Sequence, residues 1–165
     1  MTILGIDPGL ATMGYGVLRA EGGRFSFVDC GVILTPAGMA LPERLRLIYD
    51  GTAALFDEYK PDAVAAEELF FTKNITTGIA VAQARGVAML ACVQRTDKLY
   101  EFTPMQVKRA VAGYGKATKA QMMQMVKSIF GLPEPPRPDD AADAIAVAVC
   151  CAQAHGKLQE YFRIR

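Results

Sequence analysis

Six acidic residues stand in three places where they could work together. Asp7 closes the apolar run ILGIDPG just before a Pro-Gly turn, Glu67 and Glu68 end DAVAAEELFF, and Asp139, Asp140 and Asp143 open PDDAADAIAVAV. Each group has a plain structural use: Asp-Pro-Gly makes a tight turn, and acids complement the positive end of a helix. Their combination suggests more. Asp7 and Glu67 would both close strands at a carboxyl edge, where sheet-based sites gather, and Asp140 and Asp143, three apart, share a helix face. Four converging carboxylates repel one another unless cations lie among them. With no histidine or cysteine nearby, oxygen-only ligands favour hard divalent ions, Mg²⁺ or Mn²⁺. Two such ions about 3.5 to 4 Å apart drive in-line displacement at a phosphodiester, with Asp7 placed to bridge them. Because the acids are doubled at both places, Glu68 and Asp139 stay open as alternatives to Glu67 and Asp140; strand alternation puts Glu67 and Glu68 on opposite faces without saying which face holds the site.

A polyanionic substrate matches the distribution of charge rather than its sum. The net charge is only +1, but residues 102–133 carry Lys108, Arg109, Lys116, Lys119 and Lys127 and no acid. Residues 29–71 hold eight acids against Arg44, Arg46 and Lys60. A basic face beside an acidic centre suits a metal-dependent enzyme that grips phosphates without reading bases.

The elements that must position these groups follow from hydrophobic period. Residues 3–7, 13–19 and 25–34 read as an antiparallel meander. Leu41, Leu45, Ile48 and Leu55 mark an amphipathic helix, 63–66 a buried strand, 79–94 a second helix and 99–102 a last strand. Helices then start near Thr103-Pro104, near Thr118 with a capping box to Gln121, and at Pro138 through His155, Asp139 serving as a cap. The fold class is α/β: a five-stranded mixed sheet flanked by helices. At 165 residues and 52% hydrophobic, the chain reads as one domain over 1–165 with a loose tail at 156–165. No apolar run reaches the roughly 20 residues that span a bilayer, so the chain is expected to be cytoplasmic, without a membrane partner. Cys30, Cys92, Cys150 and Cys151 form no CxxC pair and read as small buried hydrophobes. His155 reads as a surface or capping residue.

The ordered blocks ILGIDPG, AAEELFFTKN, QARGVA, MQVKRAVAGYGKATK and DDAADAIAVAV, spanning about residues 3–152, resemble the RuvC family of Holliday-junction resolvases. That resemblance implies a ribonuclease-H-like fold and a homodimeric endonuclease using two Mg²⁺ or Mn²⁺ ions per site. Such an enzyme nicks opposing strands of four-way junction DNA in recombination and repair, alongside a branch-migration complex of RuvA and RuvB type. It places the family's acidic tetrad on Asp7, Glu67, Asp140 and Asp143, and the basic residues beside the scissile phosphate on Lys108 and Lys119. It also puts the base-stacking aromatic on Phe70 rather than Phe71. Lys73 and Asn74 beyond them, with Arg109 and Lys116, complete the expected DNA contacts.

The helix IAVAQARGVAMLACV, residues 79–93, carries one charge, Arg85, and is apolar almost all round. Small residues at Ala80, Ala84, Ala88 and Ala91 would admit a second helix, and a two-fold homodimer through this face is expected. Two rival functions face objections from the sequence. An actin-like ATPase needs two lobes of this kind, and a non-cleaving ribonuclease-H-fold binding protein would have lost part of its acidic tetrad.

Overall fold

Alternation along the strands divides the apolar residues between two sheet faces. Ile3, Leu18, Ala65, Tyr100 and Phe102 pack on one side, and Leu4, Ile6, Met13, Val17, Val64 and Leu99 on the other. The computed structural model describes residues 1–69, 75–154 and 162–164. In it β1 (Thr2–Asp7), β2 (Thr12–Glu21) and β3 (Arg24–Leu34) form the expected antiparallel meander, and β4 (Ala63–Glu67) and β5 (Leu99–Phe102) join in parallel. The strand order is β3-β2-β1-β4-β5. Helices α1 (Leu41–Tyr59) and α2 (Ile75–Val93) cover one face; α5 (Asp139–Gln153) lies on the other, backed by α3 (Pro104–Ala112) and α4 (Lys119–Phe130). No helix among the described residues is long and apolar enough to cross a membrane.

Both short helices begin with a reciprocal capping box, Thr103 with Gln106 and Thr118 with Gln121, which satisfies backbone N–H groups at each start. The sheet meets α5 through glycine. A Cβ on Gly5 would lie 2.0 Å from the Ala144 carbonyl oxygen, one on Gly14 2.0 Å from that of Asp140, and one on Gly16 2.5 Å from the Ile145 Cα. Helix backbone therefore rests on strand backbone with no side chain between.

Several expectations are corrected. Helix α2 starts at Ile75, four residues before the expected Ile79; Thr76, Thr77 and Gly78 are weak helix formers, but intrinsic propensity is only a weak prior on where a helix begins. Ala84, Ala88 and Ala91 do not face outward; they are fully buried within this chain, on the side of α2 that packs toward α1. The outer face of α2 instead carries Ile79, Gln83, Gly86, Leu90 and Val93. Cys30 is only half-buried, since β3 is an edge strand. Part of the expected loose tail belongs to the fold. The Glu101 amide donates to the Phe162 carbonyl and the Ile164 amide to that of Leu99, each at 2.9 Å, so these residues cover the free edge of β5. His155 lies outside the described residues.

Gly5→Ala should lower stability by about 1 to 3 kcal/mol, because the new methyl meets backbone that cannot rotate away. Urea denaturation measures this, and an unchanged midpoint would show that α5 is free to lift.

Candidate active site

Strand register brings the first two acids together. β1 and β4 pair in parallel through Ile6 and Ala66, so the next residue of each, Asp7 and Glu67, emerges at the same sheet edge. Alternation turns both toward α5, on the side opposite Ile6 and Ala66. Glu68 lies past the strand, where its amide donates to the Phe102 carbonyl at 2.9 Å. The opening turns of α5 bring Asp140 and Asp143 over this edge: the Asp140 backbone sits against Gly14, and Gly14 pairs with Asp7.

The cluster is electrostatically strained. Burial pushes the Asp7 carboxyl up to about 8, with Asp143, Glu67 and Asp140 adding to the rise and Lys119 opposing it. Glu67 is raised by burial and then by Asp143, against Lys108 and Lys119. Asp143 is raised as well, because its burial outweighs its contact with Lys119. Lys119 Nζ lies 3.1 Å from Asp143 Oδ2 and 3.4 Å from Asp139 Oδ2. Burial works against that ammonium, but the two carboxylates outweigh it and hold its pKa above the usual lysine range.

Asp139 is thus an ion-pair partner of Lys119, not the expected helix cap. The capping position belongs to Pro138, which makes no side-chain bond, and Asp139 is already the first helical residue.

Glu67, Asp143, Lys108 and Lys119 line a cavity of about 230 Å³, walled by Val107, Met122 and Ala146. Lys108 is half-buried on α3, whereas Arg109 and Lys116 are exposed. Phe70, Phe71, Lys73 and Asn74 lie outside the described residues. As they stand, no three acids among the described residues are gathered closely enough to hold an ion. The donor set still fits a hard divalent cation: it is all oxygen and partly buried, and burial together with the neighbouring carboxylates raises the Asp7 carboxyl, a penalty that a cation would relieve. One charged neighbour was not anticipated. Arg44 lines a second cleft with Asp140, and a lone arginine in an amphipathic helix gives no spacing signal to find it by.

Comparison with known proteins follows the same lines. Residues 3–151 match the family described as crossover junction endodeoxyribonuclease RuvC. A protein of that name from Alkaliphilus oremlandii is 51% identical over 165 residues, covering all of both chains. The structure of Thermus thermophilus RuvC in complex with a Holliday junction substrate superposes with a TM-score of 0.87 at 35% identity, over 92% of this chain and 93% of that one. The yeast mitochondrial Holliday junction resolvase Ydc2, at 14% identity and a TM-score of 0.70 over 96% of this chain and 82% of that one, shares the fold.

Asp7 sets the pH response expected without divalent ions. Its folded pKa of about 8 exceeds the ordinary value of 3.8, so between these limits the folded chain holds a proton that the unfolded chain has released. Stability should therefore fall as pH rises from about 4 toward 8. Thermal melts in chelator across this range should show the decline, and Asp7→Asn should make it shallower, the raised carboxyls of Glu67 and Asp143 keeping part of it.

Proposed function

The chain belongs to the RuvC family of crossover junction endodeoxyribonucleases, and from that membership we propose that it resolves four-way DNA junctions with Asp7, Glu67, Asp140 and Asp143 as its metal-holding residues. The observation that carries this reading is the meeting of acids from β1, β4 and α5 at one sheet edge, with Lys108 and Lys119 beside them. Dependence on divalent metal goes with the family. The finer reading is two ions, Mg²⁺ or Mn²⁺, which supply Lewis acidity for activating water and steadying the leaving oxygen.

The protein's own groups do the rest. The four carboxylates hold the cations at the edge of the sheet. Lys108 enters the cavity from α3 and holds a phosphate oxygen near Glu67. Lys119 has an exposed stem and exchanges Asp143 and Asp139 for the same phosphodiester. Arg109 and Lys116 extend the grip along the backbone of the DNA, giving salt-sensitive affinity that carries no base information. We assign Phe70 to stacking within the opened junction, with Phe71, Lys73 and Asn74 beside it.

A homodimer through α2 completes this reading. Ile79, Leu90 and Val93 are 56%, 50% and 57% exposed, a large apolar surface for one helix. They share the outer face with Gly86, where an added Cβ would meet nothing within 4 Å. Spacings of four and three along 79, 83, 86, 90 and 93 suit a helix pairing with its symmetry mate, and a junction presents two matching strands to such a pair. From the family resemblance we also infer a cytoplasmic setting, a single domain over 1–165, and a branch-migration complex of RuvA and RuvB type as partner.

Synthetic four-way junctions compared with linear duplex, with and without Mg²⁺ or Mn²⁺, test the activity. Asp7→Asn should abolish nicking yet leave junction binding largely intact, and Asp140→Asn should do the same. Asp139→Asn should keep its activity and lose no more than about 1 kcal/mol of stability, since its ion pair is exposed. Nicking by the Asp7 variant would sink the assignment of the acids.

Sedimentation equilibrium at micromolar concentration should give about twice the 17.8 kDa chain mass. Leu90→Glu should shift it to a single chain. A wild-type monomer that still makes paired symmetric nicks would overturn the dimer.

A further inference from the structure

Beyond the lysine-lined cavity, a second cleft opens on the other side of the acid row. It is bounded by Gly9, Leu10 and Thr12 of the turn after Asp7, by Ala80 and Val81 of α2, and by Asp140. Among the described residues its one cationic lining residue is Arg44, half-buried near the start of α1.

Arg44 is held in place by a group that is itself fixed. Its Nε donates to Thr35 Oγ1 at 2.8 Å and its Nη2 reaches the Thr35 carbonyl at 3.5 Å. Thr35 is buried, only 5% exposed. Its hydroxyl donates to the Leu10 carbonyl at 2.5 Å, and its amide to that of Ala11 at 3.0 Å. The guanidinium is therefore tied to the turn that follows Asp7. Among the described residues it makes no ion pair, and its Nη1 has no hydrogen-bond partner. A fixed arginine without a counter-ion is arranged to receive an anion, and a guanidinium fork matches phosphate geometry. Small walls at Gly9, Ala11 and Ala80 leave room for a sugar-phosphate chain to come close.

We propose that Arg44, positioned by Thr35, binds a backbone phosphate of the junction strand on the side of the acids away from Lys108 and Lys119. The strand under attack is then held at two points, with lysines on one flank of Asp7 and arginine on the other. The cleft is walled by α2, so this phosphate lies toward the helix assigned to the dimer contact. The inference rests on the functional reading above and adds a binding residue to it.

The alternative is that Arg44 only staples α1 to the turn. Salt dependence of junction binding separates the two, because each phosphate contact contributes about 0.7 to 0.9 to the slope of log affinity against log salt, whereas a staple contributes to stability alone. The measurement uses Asp7→Asn protein in chelator, so the junction stays uncut. Added to that background, R44M should reduce the slope by about one contact and weaken binding several-fold at physiological salt. R44K, which keeps the charge, should restore most of the slope. R24M, at the remote β2–β3 turn, should leave it unchanged. Should R44M fail to fold, R44Q keeps a donor for Thr35 and carries the same test. An unchanged slope in R44M or R44Q, or an equal drop in R24M, overturns the assignment. If the Asp7→Asn parent itself does not bind junctions, the functional reading falls, which is a different result from a parent that binds while Arg44 makes no difference.

Discussion

The site depends on one contact: the backbone of α5 lying directly on the backbone of β1 and β2. Gly5, Gly14 and Gly16 allow it, and Ala141, Ala144 and Ala148 supply a helix face thin enough to use it. From Ala141 to Ala152 the helix is buried at every position except Asp143, so its core packing and its position over the sheet are one property. A helix held at ordinary side-chain distance would carry Asp140 and Asp143 well away from Asp7. The acids meet because the glycines let the layers close.

That closeness stores repulsion. Two partly buried carboxyl environments among the described residues are resolved in different ways. On the α1 side, Asp29 accepts hydrogen bonds from the hydroxyls of Tyr15 at 3.0 Å and Tyr59 at 2.6 Å. Both tyrosines are held protonated by the arrangement, Tyr15 up to about 12 through burial and this bond. On the α5 side, among the described residues, the carboxylates face one another and are opposed only by the lysines Lys119 and, at Glu67, Lys108, and the pKa values of Asp7, Glu67 and Asp143 rise with burial. A carboxylate surrounded by hydroxyls is satisfied as it stands. One surrounded by other carboxylates is incomplete until positive charge arrives, which is what distinguishes a place built for chemistry from one built for stability.

Much of this was readable in the sequence because it rests on local signals. Alternation marked the strands, Thr118 and Gln121 marked a helix start, and the acids stood at element ends. Misreadings arose where tertiary context decides. Composition showed that α2 is apolar all round but not which face its own chain covers; α1 takes the alanines and leaves Leu90 and Val93 outside. Asp139 looked like a cap because capping is the usual use of an acid there, but Lys119 from another helix takes it. Phe162 and Ile164 pair with β5 across some sixty residues of chain, and a short polar tail gives no period to announce that. Arg44 was passed over for the same reason: its meaning comes from Thr35 and Leu10, which lie nowhere near it in a helical pattern.

The choice between Glu67 and Glu68 shows where sequence reading stops and register takes over. Two adjacent glutamates are chemically equal, and a shift of one residue would exchange their faces. What separates them is the parallel pairing of β4 with β1 on one side and β5 on the other, Ile6 with Ala66 and Glu67 with Phe102. That register is in turn set by burial: Val64 and Ala66 must reach the α1 and α2 core while Ala63 and Ala65 reach α5. Slipping the strand by one would carry Glu67 into the core behind the sheet, where Leu4 and Ile6 offer it no partner. The apolar residues of β4 thus select the acid that faces Asp143, although all of them are buried in the core.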